Sequence, residues 1–173
     1  MRKFALLLIL GLLASCSSVR VNYDYDRATN FSNYTTYNYF NDMDSGLSPL
    51  DEKRLLRLLD STMQVKGFLL AEEPDMFINI LSNEYQELPQ NNVGVGVGGT
   101  GRNVGGGISV GLPLGRSGLK RSIQFDLVDA QKDALFWKAV SESSFKEGGT
   151  PIMREQQLRN VVSKVFAKFP PEK

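Results

Sequence analysis

The sequence predicts an α+β fold with two layers, a largely antiparallel β-sheet and two amphipathic helices packed on one of its faces. Three observations predict it. Short segments near both ends and in the middle alternate apolar and polar residues, as half-buried strands do. Two longer segments carry apolar residues at helical spacing. Runs of strands interrupted by helices with one apolar face are typical of a helix layer that covers a sheet.

The first two strands are predicted over residues 19–26 and 34–40. Apolar and polar residues alternate in the first, and the second is rich in tyrosine and threonine, which favour strands. Five of the six tyrosines lie between residues 23 and 39. We expect them to pack the sheet with their hydroxyls at its edge, and a carbohydrate-stacking surface is the alternative.

Both helices are predicted from the same N-terminal capping pattern. Ser48 and Thr150 suit the N-cap position, and the prolines that follow them suit the first helical position. The first helix is expected to end at Gly67, and the second before Pro170. Their apolar faces are formed by Leu55, Leu56, Leu59 and Met63 in the first helix, and by Leu158, Val161, Val162, Val165 and Phe169 in the second.

Four more strands and a glycine-rich tract complete the domain. Strands are predicted at 68–71, 76–88, 119–128 and 134–140, with Trp137 inside the last hairpin and a loop over 141–149. Residues 93–118 hold 11 of the 16 glycines and predict a hairpin insertion that turns near 100–103. The G-x-G-x-x-G pattern at 94–99 is no dinucleotide fingerprint, because no helical pattern follows it. The tract either docks on a partner or membrane, or is a poorly packed excursion.

The N-terminus predicts export and lipidation. Two basic residues precede an uncharged apolar run over residues 4–13, which is shorter than the roughly 20 residues that span a bilayer. The run ends in Leu13-Ala14-Ser15-Cys16, which resembles a bacterial lipobox. We therefore expect residues 1–15 to be a signal peptide cleaved between Ser15 and Cys16. Residues 16–173 would form a single domain anchored to the membrane by acyl chains on Cys16.

Composition excludes several classes of chemistry. The chain has no histidine, which removes Ser-His-Asp and Cys-His catalysis and histidine zinc sites. Its one cysteine is the predicted lipid site, so no intramolecular disulfide can form. Without residues 1–15, 18 basic residues face 19 acidic ones, so no strong field attracts nucleic acid. We expect no catalytic residues, no metal and no cofactor.

Two sets of carboxylates are candidate sites. Asp24 and Asp26 fall on one face of a strand, as a carboxylate-dependent hydrolase would need, although solvated edge carboxylates have the same pattern. Asp42 and Asp44 begin a calcium-loop-like stretch, but Lys53 stands where the loop needs glutamate. We interpret Asp42 and Asp44 as solvated turn residues.

The ordered set of motifs resembles the lipoprotein family built on the domain of unknown function 4136. The matching stretches are VNYDYDRATNFSNYTTYNYF, Val65-Lys66-Gly67-Phe68, Pro74-Asp75-Met76-Phe77-Ile78, FDLVDAQKDALFWKA and Lys168-Phe169-Pro170. Where the family has glycine in the turn between the late strands, this chain has Lys132-Asp133. The resemblance implies a fold and a cellular location, and no activity.

Together these observations predict a non-enzymatic lipoprotein of the cell envelope. Its partners would be the membrane, through Cys16, and an envelope protein. Ser17, which is not aspartate, favours the periplasmic face of the outer membrane by resemblance to enterobacterial sorting rules. Two alternatives stay open: a binding module for a small amphiphile or glycan on the uncovered sheet face, and the hydrolase built on Asp24 and Asp26.

Overall fold

The computed structural model describes residues 19–87, 92–95, 110–113 and 118–171. The predicted signal peptide, the cleavage and lipidation site at Ser15 and Cys16, and the predicted turn at 100–103 lie outside these residues. The elements are, in chain order, β1 (Arg20–Tyr25), β2 (Thr36–Tyr39), α1 (Pro49–Val65), β3 (Leu69–Leu70), β4 (Met76–Gln86), β5 (Asn92–Val95), β6 (Val110–Pro113), β7 (Leu119–Asp129), β8 (Ala134–Ser144) and α2 (Pro151–Val165).

Six strands form one mixed sheet in the order β1-β8-β7-β4-β2-β3. The pairings β1/β8, β8/β7 and β7/β4 are antiparallel, whereas β2 pairs in parallel with both β4 and β3. Parallel neighbours require a crossover, and α1 supplies it between β2 and β3. The predicted α+β class is confirmed, with parallel pairing at one end of the sheet. β5 and β6 form a separate antiparallel ladder from Asn92↔Pro113 to Val95↔Val110.

Both helices cover the same face of the sheet, as predicted. Along β7 the residues Ile123, Phe125 and Leu127 are buried, while their neighbours are only half-buried. The buried strand residues belong to one hydrophobic core together with the apolar faces of both helices. Phe166, in the 3₁₀ turn Phe166–Lys168 after α2, packs edge-on against Phe125 and tilted against Trp137.

The starts of both helices follow from the capping residues that the sequence shows, whereas the second helix ends at Val165, earlier than predicted, and continues as the 3₁₀ turn Phe166–Lys168, so that Phe169 lies beyond it. Ser48 Oγ accepts a hydrogen bond from the backbone N–H of Asp51 at 3.4 Å, and Thr150 Oγ1 accepts one from Met153 at 3.3 Å. Each helix begins with proline. Gly67 follows α1 with φ +90°, a left-handed conformation that favours glycine.

The hairpin β7–β8 is longer than the sequence predicts. We expected a loop over residues 141–149, but β8 continues to Ser144, so that prediction is wrong for its first four residues. Ser141 is buried and donates a hydrogen bond from its hydroxyl to the carbonyl oxygen of Ile123 at 3.0 Å. A register shift after Leu127 places the consecutive residues Phe136 and Trp137 both in the core.

The loop after β2 closes over β4. The backbone N–H of Ser82 donates to the carbonyl oxygen of Ser45 at 2.7 Å, beyond the last β2–β4 pair. Gly46 has φ +66°, and a Cβ placed there would lie 2.7 Å from the carbonyl oxygen of Ser82. Both its backbone conformation and the close approach therefore require glycine at this position.

Candidate functional site: an ion cluster and an open sheet face

A fully buried carboxylate stands at the start of α1. Asp51 Oδ1 accepts a hydrogen bond from Arg54 at 2.8 Å, and its Oδ2 accepts bonds from Arg154 at 2.6 Å and from Arg121 at 3.3 Å. Arg121 is 5% exposed and also bonds Glu84 at 2.7 Å. We call these five residues the ion cluster. It joins α1, α2, β4 and β7, where the two helices begin.

The electrostatics of the ion cluster suit a permanent charge. Burial by itself raises the pKa of Asp51, but the hydrogen bond and positive charge of Arg154, with the charge of Arg121, outweigh burial and hold the pKa below its usual value. The Arg121 guanidinium also lies 3.6 Å above the ring centre of Phe145, a cation–π contact. A general acid needs a raised carboxyl pKa, so the geometry fits a structural clamp better than acid–base chemistry.

Three tyrosines, Tyr34 just before β2 and Tyr37 and Tyr39 within it, bond to carboxylates. Tyr34 donates to Asp129 Oδ2 at 2.8 Å, and burial together with this bond raises the pKa of Tyr34 to about 12. Tyr37 and Tyr39 both donate to Asp60 Oδ1, at 2.8 and 2.7 Å. Burial and then the bond to Asp60 raise the pKa of both hydroxyls. These hydroxyls stabilise the packing, so they do not form a carbohydrate platform.

Three of the four aspartates in the predicted carboxylate sites accept hydrogen bonds from nearby backbone N–H groups. Asp24 Oδ1 accepts from the backbone N–H of Tyr25 at 2.9 Å, and Asp26 Oδ1 accepts from Ala28 at 2.9 Å. Asp44 Oδ1 accepts from the N–H of Gly46 at 3.1 Å. Asp24, Asp26, Asp42 and Asp44 are all exposed. Nothing in this geometry favours a hydrolytic pair or a calcium loop.

The sheet face opposite the helices carries no described helix or strand. We call it the open face; it consists of Arg20, Asn22 and Asp24 on β1, Leu135, Lys138, Val140 and Glu142 on β8, Lys120, Ser122, Gln124, Asp126 and Val128 on β7, and Phe77, Asn79, Leu81, Asn83 and Tyr85 on β4. Its polar groups stand in rows across the strands. One row pairs Asp24 with Lys138, Lys138 with Asp126, and Asp126 with Asn79.

The centre of the open face combines charge with exposed apolar surface. Gln124 donates to Asp126 Oδ2 at 2.7 Å, and Lys138 Nζ lies 3.9 Å from Asp126 Oδ1. That Oδ1 is shielded from solvent and has no hydrogen-bond partner in the described part of the chain. Leu81, one row away, is 46% exposed. An uncovered sheet surface with an exposed leucine suits contact with another macromolecule better than it suits an enclosed ligand site.

Sequence reasoning missed the ion cluster, although one signal for it was readable. Arg121 is in phase with Ile123, Phe125 and Leu127, so it occupies an inward position of a strand that is otherwise apolar. An arginine in that phase requires a buried carboxylate partner. Asp51, by contrast, looked like an ordinary acidic residue in the first turn of a helix.

Two further properties concern the described residues alone. None of the helices in residues 19–87 and 118–171 is long and apolar enough to cross a membrane. In the same ranges, no three acidic, histidine or cysteine side chains are grouped so as to hold a metal ion.

Comparison with known proteins identifies the family. The sequence profile of the family described as Domain of unknown function (DUF4136) matches residues 21–171. The chain belongs to the DUF4136 family. No curated protein matches this DUF4136 sequence. The profile match confirms the resemblance to the DUF4136 family that the motifs predict.

Solved structures resemble this DUF4136 protein at low sequence identity. A crystal structure of a PDZ domain protein from Parabacteroides distasonis has a TM-score of 0.60 at 12% identity. The match covers 96% of this chain and 39% of that protein, so the chain spans well under half of its length. Two structures of a PelC dodecamer from Paraburkholderia phytofirmans have TM-scores of 0.49 and 0.47 at 10% and 11% identity, covering 87% of this chain and 96% and 95% of theirs.

Proposed function

We propose that the protein is a lipoprotein anchored through Cys16 to the periplasmic face of the bacterial outer membrane, where it binds an envelope protein and catalyses no reaction. The anchor is supported by the uncharged run at 4–13, the lipobox-like Leu13-Ala14-Ser15-Cys16 and the residue Ser17. The non-enzymatic role is supported by the chemistry of the charged groups. Asp51 is neutralised by arginines, and Asp60 and Asp129 bind tyrosine hydroxyls.

The open face is the observation that carries the interaction role. It spans four strands and mixes ionic, amide and apolar groups in register. A partner that covers it would bury Leu81, which is 46% exposed, and could reach Lys138, whose side chain is 41% exposed. The partner would therefore present an apolar side chain opposite Leu81 and a hydrogen-bond acceptor opposite Lys138.

Photo-cross-linking in intact cells tests the interaction role. A photoreactive residue in place of Leu81 or Asn83 should yield one discrete protein adduct at native abundance. The same residue in place of Ile152, which is 82% exposed in the first turn of α2, is the matched control and should yield none of that adduct. Adducts that are identical at all three positions, or absent from all of them, would contradict the proposal.

Labelling with radioactive palmitate tests the anchor separately. The wild-type chain should take up label and fractionate with the outer membrane, whereas Cys16→Ala should lose the label. Ser17→Asp should keep the label and move the protein to the inner membrane. Mass spectrometry that finds a mature N-terminus without acyl groups would overturn the anchoring.

A second candidate function, binding of a small amphiphile, is favoured by a groove of about 310 Å³ between the C-terminal halves of the two helices. Thr62, Val65, Phe166 and Ala167 are among its lining residues, and Val65 is 86% exposed. The groove is at the lower end of the size of ligand sites. A lysophospholipid at 100 times its dissociation constant should stabilise the protein by about 2.7 kcal/mol, and Ala167→Trp should abolish that gain. The absence of any stabilisation would remove this candidate.

A further inference from the structure

The chain enters the folded body at one edge of the sheet. Val19 is 4% exposed and belongs to the core, and its carbonyl oxygen accepts a hydrogen bond from Lys164 Nζ of α2 at 3.1 Å. β1, which starts at the next residue, is the outermost strand on this side. Three residues of extended chain span about 10 Å, so an acylated Cys16 keeps Val19 within about 10 Å of the lipid surface.

The surface around Val19 has the chemistry of a membrane interface. Lys164 and Lys168 are exposed on the helix side of β1, and Arg20 is exposed on the open face, where it lies opposite Glu142 across the strands. Among residues 19–87 and 118–171, none of the three has a carboxylate within 4 Å. Lys168 Nζ lies 5.6 Å from the ring centre of Tyr23, which is 42% exposed. Tyrosine and lysine side chains are favoured where a protein meets lipid headgroups. We call Val19, Arg20, Tyr23, Lys164 and Lys168 the anchoring corner.

The opposite edge of the sheet carries exposed carboxylates. Glu72 and Glu73 follow β3, the outermost strand on that side, and both are exposed. Five strand spacings of about 4.8 Å separate β1 from β3, which places the acidic edge about 24 Å away. Near the anchoring corner, the carboxylate of Asp24 bonds to the backbone N–H of Tyr25. Asp24 and Asp26 are also exposed at the β1 edge, so the exposed lysines and Tyr23, rather than the net charge of that edge, favour contact with lipid there.

We propose that the anchoring corner lies against anionic lipid headgroups, so that the sheet stands on its β1 edge with β3 pointing away from the membrane. This inference rests on the proposed lipidation of Cys16. It assigns an orientation in which the open face is perpendicular to the bilayer and accessible to a partner in the periplasm. A headgroup layer is about 5–8 Å thick, so β1 would reach it and β3 would not.

Depth-dependent quenching tests the orientation on the full lipidated chain. In the mature protein the sulfur of Cys16 is alkylated, so an introduced cysteine is the only free thiol. Asn22→Cys on β1 and Glu72→Cys beyond β3 are both exposed, and each would carry one fluorophore. The probe vesicles contain phosphatidylethanolamine and phosphatidylglycerol with a spin label on the headgroup. Quenching should be several-fold stronger at position 22 than at position 72.

A charge variant tests the role of the lysines. In the double variant Lys164→Gln, Lys168→Gln, the ratio of quenching at position 22 to quenching at position 72 should fall. It should then equal the ratio measured for the wild type in vesicles without phosphatidylglycerol. Equal quenching at both positions in protein that floats with vesicles would overturn the orientation and leave the anchor intact. Wild-type protein that fails to float would remove the anchor and the orientation together.

Discussion

Replacement of Asp51 by asparagine is the sharpest test of the ion cluster. The substitution keeps the side-chain shape and removes a charge that is fully buried and bonded to three arginines. Removing one partner of a buried ion pair costs about 3–5 kcal/mol, because the remaining charges stay desolvated. Arg121 retains Glu84 at 2.7 Å, which limits the damage. We therefore expect Asp51→Asn to lower the free energy of unfolding by about 3 kcal/mol.

Urea unfolding followed by the fluorescence of Trp137 measures this loss. Trp137 is the one tryptophan and is 1% exposed, so its emission reports on the core. With a denaturant slope of about 2 kcal/mol per molar urea, a loss of 3 kcal/mol lowers the midpoint by about 1.5 M. The difference between wild type and variant should narrow in acid. The pKa of Asp51 is lowered by folding, so its contribution is complete above the ordinary carboxyl pKa and is lost as the pH falls through the lowered pKa.

The matched control is an exposed ion pair between the same two helices. Arg57 and Glu155 are 3.0 Å apart, with side chains 65% and 34% exposed. Surface pairs contribute about 0–1 kcal/mol, so Glu155→Gln should cost about 1 kcal/mol or less. If Asp51→Asn shifted the midpoint no more than Glu155→Gln, our account of a desolvated, mutually neutralised cluster would be wrong.

Three further predictions concern backbone fit and titration. Gly46→Ala should destabilise the protein by about 2–4 kcal/mol, because the position has a positive φ and the new Cβ would clash with the backbone of Ser82. Gly67→Ala, which also has a positive φ but open space around the Cβ, should cost about 1–2 kcal/mol. Equal losses in urea unfolding would refute the predicted clash with Ser82. Tyr34→Phe should lower the free energy of unfolding by about 1–2 kcal/mol at neutral pH, because it removes the hydrogen bond to Asp129. In the wild type, the tyrosinate absorbance of Tyr34 should develop near pH 12, and it should be missing in the variant. Burial opposes ionisation of Asp129, but hydrogen bonds, foremost that from the backbone N–H of Lys132, lower its pKa to about 2. The stability of the wild type should therefore decline as the pH falls from 4 to 2. If the loss caused by Tyr34→Phe did not change with pH across that range, the coupling of Tyr34 to Asp129 would be refuted.

Local chemistry made the helices and most strands predictable. Ser48-Pro49 and Thr150-Pro151 start the helices where the sequence places them, and alternation defines β7 from its first residue. These features depend on neighbours in the chain. The stretch 141–144 lacks apolar alternation, and it becomes a strand because β7 supplies a complete ladder of partners.

Long-range partners account for what the sequence did not predict. The parallel pairing of Tyr37 with Met76 joins residues that are remote in the chain, and nothing local marks the direction of pairing. The same holds for Asp51 with Arg121 and Arg154, whose meeting depends on how both helices lie on the sheet. The anchor at Cys16 remains a prediction from local sequence.

The pairing of β1 with β8 has a consequence for how the chain matures. Arg20 lies opposite Glu142, so 122 positions separate the partners, and closing that loop costs about 4 kcal/mol of chain entropy. β1 therefore cannot pair with β8 until almost the whole chain is available. A truncated polypeptide that stops before Ala134 would leave β1 without its hydrogen-bonding partner, and an unpaired strand edge is recognised by chaperones and proteases.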